Sequence, residues 1–126
     1  MEGRWGLRAY DSFVHLDAEV HSTCTLRKGT RIYQFVTLEE SVRTGEYVEI
    51  KPGSHIGKHA EIGNGVVIGA NSTIYPYVTI GNKAFIRPGS VVTKDVPEGQ
   101  TYAGNPAVRV IIPNVNNKPD EEDTLG

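Results

Sequence analysis

The chain has 126 residues, a mass of 13.8 kDa and a formal net charge of −2, which bounds it to one domain with one core. Its 38% hydrophobic and 22% charged residues are ordinary for a soluble chain, and no apolar run is long enough to span a membrane. No signal-peptide core follows the basic residues of "MEGRWGLRAY", no nucleic-acid surface stands out, and the lone Cys24 excludes an internal disulfide or a multi-cysteine metal site. A cytoplasmic location is expected.

In chain order, residues 1–11 read as an N-terminal cap, through Trp5 and Leu7. Residues 12–95 then follow a strict period of six. Val14, Val20, Leu26, Ile32, Leu38, Thr44, Ile50, Ile56, Ile62, Ile68, Ile74, Ile80, Ile86 and Val92 form one register, aliphatic at thirteen of fourteen positions. Two residues earlier in each hexad stands a small or Val-sized residue, such as Cys24, Val66 or Ser90. Helices repeat at three and four and strands at two, so neither explains a period of six. Short strands separated by turns do, as in a solenoid. Three faces of six residues close a triangular coil of 18, which stacks Ile32, Ile50, Ile68 and Ile86 on one face. The register supports about four and a half coils. "KPGS" (51–54) and "RPGS" (87–90) lie 36 residues apart, on the same corner, and Pro-Gly suits a type II turn. Gly57, Gly63, Gly69 and Gly81 follow the core aliphatic, where a tight bend is expected.

The flanks carry Phe13, Phe35, Val67, Phe85 and Val91 outside the core register, a pattern that favours a subunit interface over scattered surface hydrophobes. The register breaks at "KDVPEGQ", and residues 96–112 read as a closing loop and strand. Asp120, Glu121, Glu122 and Asp123 mark residues 113–126 as an acidic tail with nothing to bury, expected to be disordered.

The hexad register resembles the hexapeptide-repeat, left-handed parallel β-helix proteins over about residues 12–112. Handedness comes from that resemblance, since the general rule for parallel crossovers predicts a right-handed coil. "GSVVTKDVP" and "AGNPA" resemble the closing signature of the acyl-CoA-dependent acyltransferases of that family, and "TRIYQFVTLEE" (30–40) is similar to the branch that acetylates amino groups of nucleotide-linked sugars. The resemblance implies an all-β fold, acetyl-CoA as co-substrate, an amino-sugar or nucleotide-sugar acceptor, no metal, and a homotrimer with active sites between neighbouring prisms.

On that reading, a groove between prisms offers coenzyme A backbone groups at Gly69, Ala70 and Gly89 and a hydroxyl at Ser90. Arg87 and Lys94 are placed to meet phosphates, arginine in bidentate fashion. Thr93 and Lys94 carry over by position from the family's nucleotide contacts. Acetyl transfer to an amine benefits from a histidine base. His59 at a corner is the first candidate and His55, flanking a core position, the second; His15 and His21 are too far apart in the coil to act together. The expected chemistry is direct transfer, with the oxyanion held by a turn N–H at Gly69 or Ala70 and no acyl-enzyme on the inward Cys24.

Two departures bear on the acceptor. Asn71 in "IGAN" stands where sugar-hydroxyl acetylating relatives carry the catalytic histidine, and it reads as a substrate contact. The long acceptor loop usual in nucleotide-sugar relatives is also missing, since "GKHAEIGNGVVIGAN" runs straight through. A non-catalytic β-helix scaffold is the main alternative. A carbonic-anhydrase-like zinc enzyme is the other, and it lacks a third histidine near His55 and His59.

Overall fold

The computed structural model describes the backbone of residues 5–8 and the whole of residues 11–111. The side chains of Trp5 and Leu7 and the acidic tail lie outside the described residues.

Most hexads make a strand of two residues, the first toward solvent and the second buried; Ser12–His15 runs to four, and Thr25 makes only an isolated bridge to Arg43. The chain then turns, and the small residue of the next hexad points inward again. Three flat faces result. The first holds β1 (Trp5–Arg8), β2 (Ser12–His15), β4 (Arg31–Ile32), β7 (Glu49–Ile50), β10 (Val67–Ile68), β13 (Phe85–Ile86), β15 (Thr101–Gly104) and β16 (Ala107–Arg109), in that spatial order. The second holds β3 (Glu19–Val20), β5 (Thr37–Leu38), β8 (His55–Ile56), β11 (Thr73–Ile74) and β14 (Val91–Val92). The third holds β6 (Arg43–Thr44), β9 (Glu61–Ile62) and β12 (Thr79–Ile80). Coils stack in parallel at a step of 18, as in Ile50, Ile68 and Ile86. The prism is a left-handed parallel β-helix of about five turns, and no α-helix occurs among the described residues. Only the ends are antiparallel: β1 lies along β2, and β15 and β16 form a closing hairpin.

The core is the column of the register, with Ile32, Ile50, Ile56, Ile68, Ile74 and Ile86 fully buried. Thr44, its one polar member, is also buried. Its hydroxyl lies 3.2 Å from that of Thr30, which donates onward to the Gly45 carbonyl at 2.9 Å. A hydroxyl at a core position is tolerable only with such a partner.

The turns explain the small residues in two different ways. From Gly29 to Gly89 one residue per corner takes the left-handed conformation: Phe35, Gly53, Asn71 and Gly89 on the first corner, between the first and second faces. Ser41, His59 and Tyr77 do so on the second corner, between the second and third faces. Pro52-Gly53 and Pro88-Gly89 thus form the expected turns, with Gly53 at φ 80° and Gly89 at φ 74°. Gly57 and Gly69 are not among the positive-φ residues. A side chain there would run into the backbone of the next coil, at Pro76 N and Pro88 N respectively. These glycines permit stacking rather than bending.

Past Val92 the coil continues in shortened form. Val96 is buried and bridges Ile80, sixteen residues back instead of eighteen, and Thr101 pairs with Phe85 at the same reduced step. The second corner of this coil is two residues tighter. There the Asp95 carboxylate accepts the Thr79 N–H at 2.9 Å.

Candidate active site

The expected site residues divide among one face and two corners. Gly69, Ala70 and Asn71 occupy the first corner, and Arg87, Gly89 and Ser90 occupy it one coil higher. His55 stands on the outer surface of the second face, between Thr37 below and Thr73 above. His59 is on the second corner, and Thr93 and Lys94 follow β14 at that corner's last, shortened turn. Within one prism His59 and the Gly69–Ser90 row are separated by the width of the second face.

On the first corner the backbone is mostly committed. The Gly69 N–H donates to the Ile86 carbonyl at 2.7 Å, and Gly69 is buried. It cannot also hold an oxyanion, which corrects that expectation. The half-buried Ala70 is different: its carbonyl accepts the Gly89 N–H at 2.9 Å, and no acceptor among the described residues takes its own N–H. Ser90 is 1% exposed. Its hydroxyl donates to the Arg87 carbonyl at 2.7 Å and accepts the Gly104 N–H at 3.3 Å. It tops an inner serine column in which Ser54 donates to the Gly69 carbonyl and Ser72 to the Arg87 carbonyl. The serine expected to offer coenzyme A a hydroxyl spends it inside the corner. Arg87, Gly89, Asn71 and Lys94 remain exposed.

The histidines differ in what holds them. His59 stacks flat on Tyr77, with centroids 4.9 Å apart and planes 2° from parallel. His55 Nε2 lies 2.8 Å from Glu39 Oε2, and Glu39 Oε1 accepts the Lys58 N–H at 3.0 Å. The His55 hydrogen bond, and then the Lys58 amide, lower the Glu39 carboxyl below its ordinary range. An ionised carboxylate only accepts, so Nε2 carries the proton and Nδ1 keeps its lone pair in the neutral ring. Glu39 was missed from sequence, although the 18-residue coil places residue 55 diagonally above residue 39. Below this pair the second face is hollowed over about 730 Å³, lined by Glu19, His21, Thr37, Glu39 and Glu40. Cys24 is half-buried and its thiol donates to the Glu39 carbonyl at 2.9 Å. Among the described residues no three His, Cys, Asp or Glu side chains converge as a metal site. Phe35, 69% exposed, projects from the first corner with a left-handed backbone that costs a bulky residue more than glycine.

The sequence pattern of the family "Bacterial transferase hexapeptide (six repeats)" matches residues 41–76 and again 59–94. The fold is the left-handed parallel β-helix, and residues 41–94 carry the hexapeptide repeats of that pattern. No curated protein matches it. Among solved structures it is similar to the acetyltransferase domain of PglB from Neisseria gonorrhoeae FA1090 in complex with acetyl coenzyme A: TM-score 0.63, 24% identity, 79% of this chain and 58% of that one. A variant of GDP-perosamine N-acetyl transferase from Caulobacter crescentus, in complex with CoA and GDP-perosamine, aligns at TM-score 0.53 and 23% identity, over 78% of this chain and 55% of that one. Serine acetyltransferase in complex with CoA aligns at TM-score 0.59 and 29% identity, over 77% of this chain and 41% of that one. The chain therefore spans little more than half the length of the first two and less than half of the third.

Proposed function

We propose that the protein is an acetyl-CoA-dependent acyltransferase that acetylates an amino group of a nucleotide-linked sugar by direct transfer. The observation that carries this reading is the His55–Glu39 pair beside the first corner, a base with its proton and orientation fixed by a carboxylate. Similarity to acetyltransferase structures holding CoA and a nucleotide sugar agrees with it.

Acetyl-CoA lies along the first corner, with Arg87 toward its phosphates and Asn71 toward the acceptor. Thr93 and Lys94 sit on the second corner, so they meet the nucleotide end only from a neighbouring prism. The working assembly is accordingly a homotrimer, in the cytoplasm. An amine entering the acidic hollow beneath His55 finds Glu19, Glu39 and Glu40 around it. Its nitrogen attacks the thioester carbon while His55 Nδ1 takes its proton. The Ala70 N–H holds the oxyanion. Collapse breaks the C–S bond, and the thiolate leaves with the proton from His55. His59, engaged with Tyr77, serves the corner rather than the proton transfer.

Calorimetric titration with acetyl-CoA and with free CoA tests the reading. Saturable binding near one site per chain is expected. No binding at millimolar ligand by a trimeric protein would reduce the molecule to a scaffold.

A further inference from the structure

The third face carries a second hollow, of opposite electrostatic character. It is an open hollow of about 600 Å³ over the first coils, within the size range of small-ligand sites. Its charged lining is Arg27, Arg43 and Glu61; Thr23, Thr25 and Ser41 add hydroxyls, and His59 stands at the rim. The two guanidinium groups are available. Arg27 has no ion pair among the described residues. Arg43 meets Glu61 only at 3.9 Å, with both side chains more than half exposed, an interaction that solvent largely screens.

We infer that this hollow is a phosphoryl-binding site. Two arginines in reach of one space present planar forks of donors that match phosphate oxygens, and the hydroxyls supply further donors. The lining excludes an apolar peptide, since nearly every side chain in it is polar. With Glu61 balancing one arginine, the net charge suits a phosphate ester or diphosphate rather than a polyanion. Glu61 is also an acceptor for hydroxyls of the group that carries the phosphate.

The site stands apart from the acyl-transfer reading and is tested apart from it. Full-length protein is titrated calorimetrically with inorganic pyrophosphate, as wild type and as Arg27→Gln, Arg43→Gln and Arg31→Gln. Arg31 lies on the first face, so its variant makes the same charge change elsewhere. One saturable site per chain is expected, with affinity falling about tenfold or more in each of the first two variants and within about twofold of wild type in the third. Absence of saturable binding, or an equal loss in Arg31→Gln, overturns the site and leaves only general charge attraction. All three arginines are exposed, so the fold is expected to survive, and an unchanged urea midpoint checks it. Acetyl-CoA titrated into the same variants separates the two readings. Pyrophosphate bound without acetyl-CoA sinks the transferase alone, and acetyl-CoA bound without pyrophosphate sinks this site alone.

Discussion

Gly69 and Gly89 sit one coil apart on the first corner, and alanine at each tests a different force. At Gly69 the added carbon lands on Pro88 N and lies 2.7 Å from Pro88 Cδ and 2.8 Å from Arg87 C. None of these atoms belongs to a flexible side chain. Gly69 cannot retreat either, because its N–H is tied to Ile86 and its carbonyl accepts the Ser54 hydroxyl at 2.9 Å. Two coils normally about 4.8 Å apart must open, and the ladder bonds between them stretch. That is overpacking against backbone, at the upper end of its usual cost, about 3 kcal/mol. At Gly89 the same carbon meets nothing within 4 Å, but the backbone has φ 74°. The left-handed penalty is about 1–2 kcal/mol, offset by about 0.4–1 kcal/mol from a stiffer unfolded chain. The net expectation is near 1 kcal/mol or below, and smaller still for Gly89→Asn, since Asn71 already holds that conformation one coil down. Urea unfolding with unchanged m-value reads both. Equal costs, or Gly89→Ala costing more, would refute the stacking role assigned to Gly69.

His55→Ala should lower turnover about 10²- to 10⁴-fold in an acetyl-transfer assay. His59→Ala should keep turnover and lose only the stacking on Tyr77, at most about 1 kcal/mol of stability. Thr44→Val should cost about 1 kcal/mol in urea, because the Arg27 N–H loses its Thr44 acceptor while Thr30 keeps its bond to the Gly45 carbonyl. Ile68→Ala, by contrast, should cost about 2–5 kcal/mol, and Ile68→Val about 0.5–1.5 kcal/mol. The Glu39 carboxyl is held below 4.5 in the folded state, so its contribution is present above that pH and fades as pH falls through the lowered folded value. Unfolding midpoints followed from neutral pH into the acid range should therefore drop less steeply in Glu39→Gln than in wild type.

The prism was legible because its code is redundant. Thirteen aliphatic positions repeat one geometric demand, and a single exception such as Thr44 leaves the period intact. Functional positions lack that redundancy. Every corner presents a similar turn, so sequence spacing alone does not separate Gly69, whose amide is spent on Ile86, from Ala70, whose amide is not. Ser90 belongs to the small-residue register, and that register points inward. The rule that filled the core with Val66 and Ala84 also removes this hydroxyl from the groove. Two other features follow from counting coils rather than hexads. Contacts between coils run at eighteen along a column and at sixteen on the diagonal, and the diagonal joins Glu39 to His55. A coil shortened to sixteen carries Val96 over Ile80. Neither shows in a period-six reading.

The second corner separates the two hollows. On one side the second face carries Glu19, Glu39 and Glu40; on the other the third face carries Arg27 and Arg43. Between them runs the edge formed by Thr23, Ser41 and His59. A nucleotide-linked amino sugar has the same polarity, an amine at one end and phosphoryl groups toward the other. Laid across this edge, it places its amine beneath His55 and its phosphoryl groups among the arginines. On the proposed reading, two faces of the prism would sort such an acceptor by charge in place of the acceptor loop. That orientation makes a specific demand. Arg27→Gln and Arg43→Gln should raise the KM for a nucleotide-linked amino sugar while leaving the KM for the free amino sugar unchanged. Equal effects on both acceptors would mean that the hollow on the third face binds phosphate for a purpose unrelated to the transfer.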